Sequence, residues 1–385
     1  MKKFHVTFLI ALFSFLTFSM QIMGQETPSS LKLPQLFYKK FVGKMAEQEV
    51  EISLTKIDSN LKGNFYNKTT GEVYELIGEV ELNGDIILHE AKDQDKEDAG
   101  METEAFLNGK FVSETEMQLS QEKMREDKAV NFNMKETYLN GTAEFELIKE
   151  AKQYGKCGYT HCAEFLLIYP KMKNQKQADK FNKIISKILI DEYAAELKKR
   201  IKSNDNLETF QSLAEDFINR YKAEEAKNTA NPNQIIWGNH HEVTLVCNRF
   251  NIITFEFESV SYEGGAYPLT ELNYKSYNLQ TAEPITLKDV LVQNYESQLN
   301  QIGEKIFKSH HGLQDATDLG KEGYTFPNNK FKLSNNYGFT KQGVVFQYNE
   351  GEIAPHAMGS PKIIIPYNEL KPLIKKNSML EPFLK

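Results

Sequence analysis

The segment Tyr74-Glu75-Leu76-Ile77-Gly78-Glu79-Val80-Glu81-Leu82, then Asn83-Gly84, then Ile86-Ile87-Leu88 decides the reading of the first third of the chain. Polar and apolar residues alternate, imperfectly, as on a strand with one buried face. Asn-Gly supplies the positive φ values of a tight hairpin, and Ile86 to Leu88 supply the returning strand. Upstream, Glu49-Val50-Glu51-Ile52-Ser53-Leu54 alternates cleanly and reads as a half-buried strand. Asn108-Gly109 and Asn140-Gly141 repeat the turn dipeptide. Lys62-Gly63-Asn64-Phe65-Tyr66 and Gly109-Lys110-Phe111 look like loosely repeated strand starts, without a fixed period. Together these predict an antiparallel meander or small barrel over residues 25–150.

The period changes after residue 150. Phe165 to Tyr169 reads as a strand ending at Pro170. Phe181, Ile184, Ile185, Ile188, Leu189, Tyr193, Leu197 and Ile201 then recur at spacings of three and four, which puts one apolar stripe down a helix. Leu207, Phe210, Leu213, Phe217 and Tyr221 predict a second helix. From 241 strands return: Val243 to Val246 and Ile252 to Ser259 as neighbours, with Val344 to Tyr348 and Ile363 to Pro366 as two more. A helical pattern over Leu287 to Lys308 lies between them. The predicted class is α+β: an N-terminal β-unit, a helical segment over 151–240, and an antiparallel sheet with packed helices over 241–376.

Composition narrows the function. The 385 residues are 40% hydrophobic and 26% charged, as in an ordinary globular protein. The net charge of −7 argues against a general nucleic-acid binder. Lys2 and Lys3 precede 13 uncharged residues, Val6 to Phe18, too short for the ~20 residues that span a bilayer. With the small, neutral Ile22-Met23-Gly24 following, residues 1–24 read as a cleaved secretory signal; an uncut anchor is the alternative. Loss of its two lysines would take the charge to −9. The expected location is exported, periplasmic or extracellular, with no transmembrane segment in the mature chain.

Three cysteines exclude a disulfide-framework protein. Cys157 and Cys162 are close enough for an oxidising compartment to close a small loop, with Gly155 and Gly158 helping the chain turn; free thiols are the alternative. That bridge would pin the linker ahead of the second unit. His161 lacks companions at metal-ligand spacing. Cys247, in an apolar run, reads as a buried small hydrophobe. Asp93, Asp95 and Asp98 lack the glycine and closing glutamate of a calcium loop, so they read as a solvated hairpin tip. No metal or cofactor is expected. No Gly-x-Ser-x-Gly, phosphate loop or His-Glu-x-x-His occurs, so no catalytic residue is assigned.

Two clusters carry a family resemblance. One is Tyr262-Glu263-Gly264-Gly265-Ala266-Tyr267-Pro268, with Tyr277-Asn278-Leu279 and Ile285-Thr286-Leu287-Lys288-Asp289-Val290 behind it. The other is Phe339-Thr340-Lys341-Gln342-Gly343-Val344-Val345-Phe346, then Glu352-Ile353-Ala354-Pro355-His356-Ala357-Met358-Gly359 and Ile365-Pro366-Tyr367-Asn368-Glu369-Leu370. This pattern resembles the C-terminal domain of RsiV-type exported bacterial proteins. The helical segment before it resembles that domain's usual companion, and together they cover about 145–375. The resemblance implies an extracytoplasmic module and, as a partner, lysozyme. The sigma-binding segment and membrane helix of the anti-sigma members are not recognisable here, nor is the catalytic domain of related deacetylases, so neither activity carries over. Tyr267 stands where the family often has histidine.

The expected function is therefore a non-enzymatic, exported binding protein of the cell envelope, whose ligand is a lysozyme-like protein or an envelope glycan. The expected contacts are Tyr262, Gly264, Gly265, Tyr267 and Pro268 in one loop, and Pro355, His356, Met358 and Gly359 in the other. Tight turns with aromatics packed over them would explain the same residues. The alternatives are a glycan-active enzyme with a pair of carboxylates and a structural envelope component.

Overall fold

The computed structural model describes residues 31–91, 105–123, 129–157, 161–174, 176–200, 209–227 and 236–384. The expected leader at 1–24 and Asp93, Asp95 and Asp98 lie outside them. Eight antiparallel strands close into a barrel: β1 (Leu36–Met45), β2 (Gln48–Ile57), β3 (Asn60–Asn67), β4 (Val73–Val80), β5 (Asp85–Ala91), β6 (Ala105–Ser113), β7 (Glu116–Lys123) and β8 (Val130–Glu136). Closure comes from β1 pairing with β8, Val42 opposite Lys135. Inward residues such as Phe41, Ile52, Phe65, Leu88 and Phe111 fill the interior, as a small barrel requires.

The turn dipeptides split three ways. Asn83-Gly84 does turn the chain, but only Gly84 has positive φ (+89°), in a four-residue loop in which the Asp85 amide donates to Asn83 Oδ1 at 2.8 Å. Asn108-Gly109 lies inside β6 and turns nothing. Asn140-Gly141 turns between the barrel and the next sheet, with Gly141 at φ +79°.

That sheet holds β9 (Phe145–Gly155), β10 (Cys162–Met172), β11 (Ile236–Arg249), β12 (Ile252–Tyr262) and β13 (Leu269–Asn278), in the order β13-β12-β11-β10-β9. The expected boundaries at 150 and 240 therefore fall within β9 and β11, and one sheet spans both segments. Nor is the sheet wholly antiparallel: β10 and β11 are parallel, because two helices, α1 (Ala178–Arg200) and α2 (Phe210–Lys227), carry the chain back between them. Pro170 does not end β10. It sits beyond the last residue paired with β11, where a missing N–H costs no ladder bond on that side.

Both helices cover one face. Phe181, Ile185 and Leu189 of α1 join Leu167, Val243 and Phe255; Leu213, Phe217 and Tyr221 of α2 join Phe165 and Trp237. The opposite face of β12 and β13 meets a second, three-stranded sheet, β14 (Tyr337–Phe339), β15 (Gly343–Gln347) and β16 (Lys362–Pro366). The strands expected as one C-terminal sheet are thus divided between two. The helical pattern over Leu287 to Lys308 is also broken, into α3 (Leu287–Val290) and α4 (Glu296–His310), with a short α5 (Tyr367–Leu370) after β16. Leu291 is extended (φ −106°, ψ 152°) and bridges to Ile374, which stops the first helix. Among the described residues no helix is long and apolar enough to cross a membrane.

Cys157 and Cys162 are bonded, with Cα atoms 5.0 Å apart. Gly155 is the partner of Cys162 in the β9–β10 ladder, so the bridge clips a hairpin tip and does not pin the linker between units.

Candidate functional site

The two loops expected to make contacts meet. The first is the tip between β12 and β13, whose last rung is Ser261 opposite Leu269. Gly264 and Gly265 have φ +92° and +119°, and a Cβ on either would meet no atom within 4 Å. Backbone conformation, not space, makes these positions glycine. The Tyr262 hydroxyl donates to Gly265 O at 3.2 Å, which folds the tip over its own strand. Pro268 leads into β13, and everything from Gly264 to Leu269 is exposed.

The second loop follows β15. Its Asn349, together with Asn336 just ahead of β14, holds the edge of β13: the Leu272 amide donates to Asn349 Oδ1 at 2.8 Å, and the Tyr274 amide donates to Asn336 Oδ1 at 2.8 Å. An edge strand whose free donors are capped by side chains is closed to further pairing, and here the caps also bring the loop alongside the tip. Pro355 starts the short turn His356–Met358, and Gly359 ends it at φ +71°, ψ −154°.

At the meeting point the Tyr267 ring stands edge-on to the His356 imidazole, with centroids 5.7 Å apart and planes at 61°. Tyr267 is 68% exposed and Met358 41%. His356 Nε2 is 3.3 Å from Glu350 Oε2. Behind the tip, Arg220 Nη1 binds Glu263 Oε2 at 2.8 Å and ties it to α2. The result is a rigidly backed surface with a tyrosine, a methionine and the rim residue Leu269 facing water. Aromatic and methionine side chains are the ones enriched where proteins dock. Among the described residues no three metal-ligating side chains converge here or elsewhere.

The other histidines stand apart. His240 pairs with Glu164 at 3.1 Å. His241, on the opposite face of β11, is buried against the Phe165 ring, and burial, reinforced by His240, pushes its imidazole down to about 4. Cys247 is buried, as expected, and burial raises its thiol to about 11. Sequence reasoning missed a different cluster: Lys40, Glu51, Arg249 and Lys341, all buried where barrel, sheet and C-terminal unit join. The sequence signal for Lys40 and Glu51 is no more than a charged residue within a regular strand, and Lys341 sits in a turn between β14 and β15 with no local signal at all.

No curated protein matches the chain. Two solved structures are similar to it: a member of the DUF3298 family from Bacteroides fragilis, 18% identical, covering 62% of this chain and 95% of that one with a TM-score of 0.48, and a DUF3298 family protein from Pseudomonas aeruginosa, 17% identical, covering 60% and 95% with a TM-score of 0.43. Residues 288–368, which run from α3 to α5 and include the second loop, match the family described as a protein of unknown function, DUF3298.

Proposed function

We propose that this is an exported, non-enzymatic binding protein of the cell envelope, and that the joined loops Tyr262–Pro268 and Pro355–Gly359 contact a protein partner of the lysozyme class. The observation that carries the reading is the exposed Tyr267 ring set against His356, with Met358 beside it. A tyrosine held by a glycine-hinged but hydrogen-bonded tip presents a large contact area at small entropic cost. The resemblance to RsiV-type domains supports the choice of partner. Charge supports it further: a net charge of −9 after loss of residues 1–24 favours encounter with a basic protein.

Immobilised protein titrated with lysozyme in moderate salt tests this. Saturable binding that weakens at least about tenfold in Tyr267→Ser, a loss of ~1.4 kcal/mol, is the expected result. Binding no stronger than to an acidic protein of equal charge removes lysozyme. Binding of peptidoglycan fragments in its place would move the reading to a glycan ligand. The glycan-hydrolase alternative requires two carboxylates about 5–10 Å apart facing one cleft. The cleft between barrel and C-terminal sheet has no carboxylate in its lining. A second depression along α1 has Asp179 and Asp191, but they are about 18 Å apart along the helix axis at 1.5 Å per residue.

A further inference from the structure

Part of the outer face of β1 and β2 is covered and does not face solvent. Tyr38, Lys40, Glu51 and Ser53 are all buried, because the end of β11 and the turn between β14 and β15 lie against them. Four basic groups meet there. Lys40 Nζ donates to Asn248 O at 3.0 Å. Lys341 Nζ donates to Ser53 Oγ at 3.2 Å and to Asn64 Oδ1. Arg249 Nη1 donates to Glu51 Oε2 at 3.1 Å, and its guanidinium lies over the rings of Tyr66 and Phe250, 4.1 and 4.4 Å from their centroids. Lys68, more exposed, reaches Glu51 Oε1 at 3.2 Å and Glu49 Oε2 at 3.2 Å.

The charges do not balance. Glu51 is the acid that three buried cations share, and among the described residues neither Lys40 nor Lys341 is bonded to a carboxylate. Buried cations without counter-charges are costly, by several kcal/mol each when isolated. Burial, together with repulsion from the neighbouring Lys40 and Arg249, pushes the Lys341 ammonium well below its ordinary range, against the pull of Glu51. Burial also lowers Lys40. An anion placed beside these lysines would offset the excess positive charge.

Arg249 and Lys341 also line a cleft of about 410 Å³, within the usual size of a small-molecule site. Its lining is about half polar: Tyr66, Phe250, Ile364, Tyr367 and Phe383 supply an apolar and aromatic side, and His310 and Gln342 add polar groups. Asn368 and Pro366, both exposed, stand at its mouth. Two basic side chains beside an aromatic surface are the parts of a receptor for an amphipathic anion. A guanidinium edge matches a carboxylate better than an ammonium does, and aromatic walls favour an organic body over a bare inorganic ion.

We propose that this cleft binds a small organic carboxylate, its head on Arg249 and Lys341 and its apolar body between Tyr66, Phe250 and Phe383. The site is separate from the loop surface and does not depend on it.

Calorimetric titration of the full chain with 4-phenylbutyrate tests the proposal, with 4-phenylbutyramide as the neutral isostere and inorganic phosphate as the competing anion. The expected result is a carboxylate Kd below about 1 mM, with no heat from the amide. Lys341→Met should weaken binding roughly tenfold or more, the worth of one charge-assisted hydrogen bond. That variant should fold, because it removes a surplus buried charge and leaves no carboxylate without its hydrogen-bond partner, though Ser53 and Asn64 lose a donor; its thermal midpoint checks this. Lys171→Met, on the depression along α1, should bind as the parent does. Equal binding of acid and amide, unchanged affinity in a folded Lys341→Met, tighter binding of phosphate than of the carboxylate, or no heat with millimolar carboxylate each overturns it.

Discussion

Arg249 and Glu51, 198 residues apart in sequence, close a 3.1 Å ion pair that joins the last residue of β11 to the outer face of the barrel. Their side chains are 10% and 2% exposed. Burial raises the cost of a charged Glu51, but Lys40, Lys341, Arg249 and Lys68 together hold its carboxyl below the ordinary range. Glu51→Leu leaves those cations facing one another and should cost about 3–5 kcal/mol, the usual penalty for breaking a buried pair. Adding Lys341→Met should recover part of that loss, because it relieves the repulsion. Urea unfolding of the two single variants and the double variant measures the coupling; strict additivity would show that Glu51 and Lys341 do not sense each other.

The Cys157–Cys162 bridge closes a very short loop at a hairpin tip. On the loop-entropy relation such a loop contributes about 2 kcal/mol at most. A Cys157→Ser, Cys162→Ala double variant should therefore stay folded, with its thermal midpoint lowered by about 2–3 °C, because a chain of this size shifts by only ~1 °C per kcal/mol. Reduction should expose the β9–β10 tip to proteolysis before any other part of the five-stranded sheet. A loss of barrel–sheet contact on reduction would instead favour the linker role read from the sequence.

Much of the barrel is legible in the alternation of Glu49 to Leu54 and Tyr74 to Leu82, because a period of two marks a strand whatever it later packs on. What alternation cannot show is that both faces of β2 are buried: Glu51 and Ser53 look like solvent-facing residues until β11 arrives from two hundred positions away. The two contact loops were readable as glycine- and proline-rich turns, but their meeting depends on Asn336 and Asn349 capping β13, a tertiary event without local signature. Asn108-Gly109 shows the opposite failure. Its glycine serves close approach within a strand: a Cβ there would lie 2.0 Å from Gln118 O on β7. Gly109→Ala should thus destabilise the barrel by about 1–3 kcal/mol, whereas Gly109 in a turn would have tolerated the change if φ allowed. Far-UV melting of the variant distinguishes the two.

The acid limb of stability should contain a contribution from His241. Its folded-state value, about 4, lies below the roughly 6.5 of an unfolded histidine. The unfolded chain therefore binds the extra proton first as pH falls. Above about 6.5 both states are neutral at this residue and it adds no slope; between about 6.5 and 4 the folded state loses ground, by about 3 kcal/mol in all. The Phe165 ring on β10 packs against it, and His240, its neighbour on the strand, acts on it through charge from the other face, while Glu164 is held low chiefly by its hydrogen bond to His240. Other groups titrate in the same window, so the measurement is a difference: denaturant unfolding of wild type and His241→Leu at half-unit steps from pH 7.5 to 4.5. The gap between the two curves should be constant down to about pH 6.5, then shift in favour of the variant as the medium becomes more acidic. A gap that stays constant across the whole range would mean that the imidazole protonates as easily in the folded protein as in the unfolded chain.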